Sequence, residues 1–181
     1  MLEVSELEIK GSWLINSPTY GDDRGFFREW FKAEEIEERI HNNFSVAQAN
    51  LSRSKKGVVR GIHFSTAPKG QAKWVTCASG AIWDVVIDIR PNSPTYKKWV
   101  AQELRAEKGQ SVFISEGLGH AFVALEDDSV ISYLLSTPYS PEFEMAINPL
   151  DPEIGIKWPL PSLQLSSRDE SAPMITELLG Q

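Results

Sequence analysis

The sequence predicts an all-β fold, an antiparallel sandwich or jelly roll, on the basis of three observations. Short segments rich in β-branched and aromatic residues recur along most of the chain, as expected for strands. Turn signals such as Lys56-Gly57, Ser79-Gly80 and Lys108-Gly109 separate these segments. Helical periodicity is scarce. Many short strands at this spacing are typical of double-sheet architectures.

The clearest helix signal lies at residues 32–40, where Ala33, Ile36 and Ile40 fall at helical spacing among glutamates. Because its apolar positions are few, this segment predicts a short surface helix. Strands are predicted after it, at residues 44–51, 58–64, 73–78, 81–89, 99–104, 111–114, 121–124 and 130–135.

The composition changes from residue 148 onward, where prolines become frequent and apolar residues sparse. We expect residues 148–181 to form an irregular Pro-rich tail packed on the barrel, with a short helical turn at 175–179. The alternative is a linker to a missing domain. Packing on the barrel is favoured by three large apolar side chains, Ile154, Ile156 and Trp158, because disordered linkers are poor in such residues.

Charge and cysteine content narrow the class of protein. Eighteen Lys and Arg against 25 Asp and Glu give a formal charge of −7 over 181 residues. The length predicts a single domain spanning residues 1–181. The acidic balance argues against nucleic-acid or membrane-surface binding, although a few local cations could still hold an anionic ligand. The chain has a lone cysteine, Cys77, and the sequence shows no signal peptide and no membrane-spanning run. These features predict a cytoplasmic protein.

Two carboxylates share one face of the strand predicted in AIWDVVIDIRP. Period-two alternation places Ile82, Asp84, Val86 and Asp88 together, opposite a continuously apolar face. Two interpretations stay open at this point. The default is a solvated outer face, and the other is the polar interior of a barrel that holds a ligand.

The segment GVVRGIHF carries Arg60 and His63, which strict alternation would put on opposite faces. Gly61 between them could host a bulge that rephases the strand. An inward Arg60 would require an anionic partner. Lys73, at the start of the next strand, could then project into the same cavity.

Cofactor and metal motifs are missing from the sequence. The three histidines, His41, His63 and His120, form no HxH or HExxH pattern, and there is no cysteine cluster. There is also no GxGxxG, P-loop or GxSxG motif. We therefore expect neither a metal site nor a bound cofactor.

Taken in order, segments covering nearly the whole chain resemble the dTDP-4-dehydrorhamnose 3,5-epimerase family. They are DDRGFFREWF (22–31), QANLSRSKKGVVRGIHF (48–64), KGQAKWV (69–75), GAIWDVVIDIRPNSPTYKKW (80–99), GLGHAF (117–122), the strand around Tyr133, YSPEFE (139–144), DPEIGIKWP (151–159) and LSSRD (165–169). Each segment alone is a weak signal, but the ordered set is specific.

The resemblance implies a cupin-like β-jelly roll, a homodimer and an epimerase that works without metal on dTDP-4-keto-6-deoxyglucose. It implies that His63 is the base, oriented by Asp169, that Tyr133 is the acid and that Lys73 stabilises the enolate. The positions that match substrate-holding residues of the family are Arg24, Glu29, Gln48, Asn50, Arg60, His120, Glu144 and Arg168, and Tyr139 resembles the aromatic that stacks on thymine.

Several positions depart from the family pattern, among them Phe64-Ser65 after the histidine and Pro138 beside Tyr139. The departures leave open how many carbons are inverted and in which sugar. The segments GVVRGIHF and VALEDD resemble the branch that serves antibiotic and unusual-sugar pathways. The leading hypothesis is inversion of both C3 and C5. The alternatives are a mono-epimerase at C3 or C5, a 3,4-ketoisomerase of the same fold, and a non-catalytic sugar-binding cupin.

Overall fold

The computed structural model describes residues 2–42, 44–66 and 70–179, and it consists mainly of two facing antiparallel sheets. Strands β1 to β13 span, in chain order, Glu3–Glu6, Ser12–Asn16, Tyr20–Asp22, Gly25–Phe27, Gln48–Ser54, Val59–Ser65, Lys73–Ser79, Ala81–Asp88, Trp99–Arg105, Gln110–Ile114, Leu118–Ala124, Ser129–Leu135 and Glu144–Ala146. The predicted all-β antiparallel class is therefore confirmed.

The two sheets have different strand orders. The six-stranded sheet runs β1-β2-β10-β7-β12-β5, and the five-stranded sheet runs β13-β6-β11-β8-β9. Strands β3 and β4 form a separate hairpin. Because β5 is an edge strand, one flank of the sandwich can remain open beside it.

The inter-sheet core is built from one face of each sheet, by strict alternation along the strands. Val75 and Ile131 contribute from the six-stranded sheet, and Ile82, Val86 and Phe122 contribute from the five-stranded sheet. Asp84 and Asp88 share the inward face with Ile82 and Val86 and are almost completely buried. The default expectation of a solvated face was wrong, because that face looks into the sandwich.

Asp88 is buried for a structural reason. Its carboxylate accepts hydrogen bonds from Arg90, Ser93 and Thr95, at distances of 2.5 to 3.0 Å. The Arg90 guanidinium and the two hydroxyls lower the pKa of this carboxyl far below its usual range, against the effect of burial. Asp88 therefore fixes the loop that follows β8 and takes no part in the cleft described below.

The C-terminal segment covers the outer face of the five-stranded sheet. Ile154 and Ile175 are buried against Val85 and Ile87 of β8. Trp158 packs its ring 5.6 Å from that of Trp83, and its Nε1 donates to Pro149 O. Two short helices lie in this segment, α2 at Ser167–Glu170 and α3 at Ile175–Leu179, and α3 matches the helical turn predicted at 175–179.

The outer face of the six-stranded sheet is covered by helix α1, Ala33–Ile40, which confirms the predicted surface helix to within one residue. The strand predicted at 44–51 was wrong in position, since β5 begins at Gln48. Phe44 instead packs its ring between Phe31, at 5.8 Å, and Phe113, at 5.4 Å. Its apolar character reflects an aromatic cluster rather than a ladder of backbone hydrogen bonds.

The described helices, α1, α2, α3 and a 3-10 turn at Ala106–Lys108, are short. None of them has the length and apolarity needed to cross a bilayer.

Candidate active site

A cleft of about 450 Å³ opens between the two sheets beside the edge strand β5. Strands β5, β7 and β12 form one wall, and β6 and β11 form the other. The lining residues are Leu51, Ser52, Arg53, Arg60, His63, Lys73, His120, Phe122, Ile131 and Tyr133. The structure thus brings five of the predicted site residues together in one cavity.

A histidine–carboxylate pair sits at the cleft and joins strand β6 to helix α2. His63 Nε2 lies 2.6 Å from Asp169 Oδ1. The His63 side chain is 32% exposed, whereas that of Asp169 is 3% exposed. The contact with His63, together with Ser166 and the Gly61 amide, lowers the pKa of Asp169, opposing the desolvation that raises it. Asp169 is therefore a carboxylate at neutral pH, and Nε2–H of His63 donates to it.

The irregularity at Gly61 explains why Arg60 and His63 reach the same cavity. The register between β6 and β11 shifts between the pairs His120↔His63 and Phe122↔Arg60. Gly61 has φ +118°, and a Cβ there would lie 2.5 Å from His120 O. Only glycine fits such a position. The predicted bulge at Gly61 is confirmed.

A second histidine–carboxylate pair joins the β11 wall of the cleft to the neighbouring strand β8. His120 Nε2 is 2.7 Å from Asp84 Oδ2, and the His120 side chain is only 9% exposed. The other oxygen, Asp84 Oδ1, is buried and has no hydrogen-bond partner among the described residues. Because the carboxylate holds Nε2–H, the remaining His120 nitrogen is available at the cavity.

Lys73 places a buried ammonium next to the first pair. Its Nζ donates to His63 O at 3.2 Å. Burial lowers the pKa of Lys73 to about 8, against the raising effect of the carboxylates of Glu144 and Asp84. The ammonium form therefore still predominates at pH 7, in a poorly solvated site where a positive charge acts strongly on an anion.

Strands β5 and β12 carry further predicted residues along the opposite wall. Tyr133 pairs in register with Asn50, and Leu135 pairs with Gln48. Gln48 Nε2 donates to Asn50 Oδ1 at 2.8 Å, and Gln48 Oε1 accepts from the Tyr139 backbone amide at 2.8 Å. Tyr139 itself is 55% exposed. These groups form a polar rim around Tyr133.

Arg60 lines the cleft from strand β6, three residues before His63. Its Nε donates to Ser54 Oγ at 3.1 Å and its Nη2 donates to Arg53 O at 3.4 Å, and the side chain lines the cavity. Glu144, the first residue of β13, pairs with Ser65 two residues beyond His63. Arginine at the cleft mouth suits a diphosphate, because its planar fork binds phosphate oxygens in pairs.

Three predicted residues lie outside the cleft in a single copy of the chain. Arg24 is on the exposed β3–β4 hairpin and pairs with Asp22 at 2.5 Å. Glu29 is exposed beside a small separate cavity that Lys32 also lines. Arg168 projects from α2 into solvent. One copy of the chain therefore does not place these three side chains in the cleft with His63.

Ser52, Phe122 and Ile131 line the cleft but were not singled out from the sequence. The signal that could have found them is alternation. Ser52 is two residues from Asn50, Ile131 is two residues from Tyr133, and Phe122 is two residues from His120, so each shares a face with a predicted site residue. Phe122 and Ile131 give the cavity an apolar wall.

Among the residues that the structure describes, no group of three or more His, Cys, Asp and Glu side chains is placed to hold a metal ion.

Comparison with known proteins gives a consistent result. The family model for dTDP-4-dehydrorhamnose 3,5-epimerase matches residues 6–177. A dTDP-4-dehydrorhamnose 3,5-epimerase of Mycolicibacterium smegmatis is 49% identical over 173 residues, which is 95% of this chain and 85% of the relative. A dTDP-4-dehydrorhamnose 3-epimerase of Streptomyces niveus is 44% identical over 176 residues, 97% of this chain and 85% of the relative.

A solved structure agrees with these sequence relatives. The epimerase of Legionella pneumophila, crystallised with dTDP-4-keto-L-rhamnose, superposes with a TM-score of 0.94 at 36% identity, covering 98% of this chain and 95% of that one. The match extends over both sheets and the C-terminal segment, so the predicted cupin-like jelly roll is confirmed.

Proposed function

Because the chain belongs to the dTDP-4-dehydrorhamnose 3,5-epimerase family, we propose that it inverts both C3 and C5 of dTDP-4-keto-6-deoxyglucose. It is an isomerase of dTDP-linked sugars, as its relatives are. The observation that carries the proposal is the adjacency of a histidine base and a buried ammonium, since Lys73 Nζ lies 3.2 Å from the His63 carbonyl oxygen.

Proton abstraction is the first step. Asp169 accepts Nε2–H of His63, which leaves Nδ1 to take the proton from the carbon next to the C4 ketone. The electron pair of the broken C–H bond moves to the ketone oxygen and forms an enolate. Lys73 faces the cavity and supplies positive charge to that oxygen, and His120 lines the other wall as a substrate-holding residue.

Inversion requires a proton from the opposite face of the ring. Tyr133 lies on β12 of the six-stranded sheet, and His63 lies on β6 of the five-stranded sheet. The Tyr133 hydroxyl gives its proton to the enolate carbon, the C–H bond forms there, and the phenolate regains a proton from water. Repetition at the second carbon completes the double epimerisation.

The rest of the substrate is held at the cleft mouth. Arg60 binds the diphosphate, Gln48, Asn50 and Glu144 hold the sugar, and Tyr139 stacks on thymine. Support comes from the Legionella structure, which was crystallised with a dTDP-keto sugar. Apolar side chains, Phe122 and Ile131, suit the methyl group of a 6-deoxy sugar.

We further propose that the chain acts as a homodimer in the cytoplasm. Phe26 and Phe27 on the hairpin are 61% and 65% exposed, and Leu51 on the edge strand is 69% exposed. Large apolar side chains grouped in this way indicate an interface. A second copy would also explain Arg24 and Glu29, which one chain leaves outside the cleft. Sedimentation as a monomer at micromolar concentration would contradict the dimer.

A mono-epimerase is the second candidate, favoured by the Streptomyces niveus relative, a 3-epimerase. Proton NMR of dTDP-4-keto-6-deoxyglucose with the protein in D2O separates the candidates. Deuterium at C3 and C5 supports the double epimerase, and deuterium at one carbon supports the mono-epimerase. If neither carbon exchanges, the proposal fails, and the fate of the keto group then distinguishes a 3,4-ketoisomerase from a sugar-binding module.

A further inference from the structure

We propose that Asn148 is a positioning residue for this reaction, one that sets the distance between strand β6 and helix α2 and so brings Asp169 to His63. The inference rests on the proposed function, because it concerns the base of that reaction. Asn148 does not line the cleft and is only 8% exposed. A buried amide side chain is retained only where hydrogen bonds compensate its burial.

On one side, Asn148 is tied to the strand that carries the base. The residue before it, Ile147, exchanges two backbone hydrogen bonds with Ile62, at 2.9 and 3.1 Å. Ile62 precedes His63 in β6. The backbone at Asn148 is therefore fixed relative to His63 by two bonds that do not involve the tail.

On the other side, Asn148 is tied to the helix that carries the carboxylate. Its Nδ2 donates to Glu170 O at 2.9 Å, and its backbone N–H donates to Pro173 O at 3.0 Å. Its Oδ1 accepts from the Leu150 amide at 2.9 Å, which holds the side-chain amide in this orientation. Glu170 follows Asp169 directly, so this contact fixes the backbone next to the carboxylate.

Helix α2 needs such external support. It spans only Ser167–Glu170, and a helix of one turn is not stable on its own in water. Ser166 caps its start by accepting the Asp169 amide at 3.1 Å. Beyond α2, Asp151 Oδ2 accepts the Ile175 amide at 2.6 Å. Asn148 adds a second side-chain link, from the end of α2 to the backbone that pairs with β6.

The test is a double-mutant cycle between Asn148→Ala and Asp169→Asn, with deuterium exchange as the activity. If Asn148 acts through Asp169, Asn148→Ala lowers kcat about tenfold in the wild-type background, as small misplacements of catalytic groups do. The same change in the Asp169→Asn background then lowers kcat by less than about twofold, because coupled sites are not additive. KM and the Kd for dTDP stay within about twofold in both backgrounds.

Two control variants separate positioning from folding. Ser129→Ala removes a buried hydroxyl whose hydrogen bonds go to Ala81 O and Glu126 O and not to α2, and it should lower Tm without changing kcat. Glu170→Ala keeps the backbone carbonyl that Asn148 binds and should leave kcat unchanged. If Asn148→Ala does not fold, Asn148→Asp keeps the acceptor for Leu150, removes the donor to Glu170 O and sets a carboxylate oxygen against that carbonyl. Failure of both variants to fold would overturn the proposal in favour of a structural role.

The remaining outcomes are also decisive. Equal loss of kcat in the two backgrounds, or unchanged kcat in a folded variant, would refute the inference. The imidazole ¹⁵N chemical shifts of His63 give a second readout that needs no turnover, because they report the hydrogen bond to Asp169. A shift change in Asn148→Ala supports positioning even if the wild-type protein exchanges no deuterium, a result that would refute only the proposed function.

Discussion

Two histidine–carboxylate pairs serve one cleft, and they are built in opposite ways. His63 and Asp169 are 106 residues apart and join a strand to the C-terminal segment. His120 and Asp84 are 36 residues apart and lie on neighbouring strands β11 and β8. The distances are nearly equal, 2.6 and 2.7 Å, but the side chain of His63 is 32% exposed and that of His120 only 9%.

The difference matches two chemical tasks. A base must exchange its proton in every turnover, and the more exposed His63 can do so. An electrostatic group should keep a fixed position and a poorly solvated surrounding, where its charge acts more strongly. The sealed pair of His120 and Asp84, next to the buried Lys73, has these properties. The predictions below test this division between a proton-transferring pair and a fixed pair.

The largest effect is expected from His63→Ala. Loss of the base should lower deuterium exchange about 10³-fold, within the range that general bases contribute, while dTDP binding stays nearly unchanged. Exchange is followed by proton NMR and binding by calorimetry. His41→Asn is the matched control, because His41 caps α1 in a left-handed conformation that asparagine also adopts. Normal turnover in His63→Ala would remove His63 as the base.

Tyr133→Phe should separate the two proton transfers. Removal of the acid lowers product formation about 10²-fold, whereas exchange on the His63 side falls only about threefold, since exchange needs only the base. Both rates come from one NMR time course in D2O. Equal loss of exchange and inversion would show that Tyr133 serves binding or enolate stabilisation instead.

The pH profile should report the charge of Lys73. Burial lowers the pKa of Lys73 to about 8, so the ammonium is present below that pH and is lost as pH rises through it. We expect kcat/KM to fall about tenfold per pH unit above pH 8. Lys73→Met should lower kcat about 10²-fold at pH 7 and abolish this alkaline limb. An alkaline limb that persists in Lys73→Met would assign it to another group.

The smallest expected effect is a shift of this alkaline limb of the pH profile, and it tests the fixed pair of His120 and Asp84. Asp84 and Glu144 raise the pKa of Lys73, so Asp84→Asn and Glu144→Gln should each lower that pKa and move the limb to lower pH. Asp169→Asn is the comparison, since it should reduce the rate and leave the position of the limb unchanged. A limb that moves in Asp169→Asn and not in Asp84→Asn would reverse the roles given to the two pairs.

Alternation predicted the strand faces well but not their surroundings. It grouped Asp84 with Ile82 and Val86, and it put Arg60 and His63 on opposite faces unless Gly61 hosts a bulge, which the register shift confirms. It could not say which face of β8 is internal, because both faces are buried. Val85 and Ile87 on the other face are covered by the C-terminal segment, and a period of two carries no information about that cover.

The remaining gaps also have physical causes. Four strands, β1, β3, β4 and β13, have only three or four residues. They are stabilised by pairing with neighbouring strands and contain no long apolar run that the sequence analysis could detect. The pairing of His63 with Asp169 came from the family resemblance, since no periodicity links a strand to a one-turn helix 106 residues later. The same resemblance named Arg24 and Glu29, which a single chain leaves outside the cleft.

The separation between His63 and Asp169 also has a consequence for biosynthesis. The ribosome produces every strand of both sheets before it produces helix α2, because β13 ends at Ala146 and α2 begins at Ser167. A nascent chain therefore contains every strand of both sheets, including the strand of Lys73, before it contains the carboxylate that pairs with His63. In the proposed reaction, catalytic competence is acquired last, because a chain that ends before residue 168 lacks Asp169 and part of the segment that covers Val85 and Ile87.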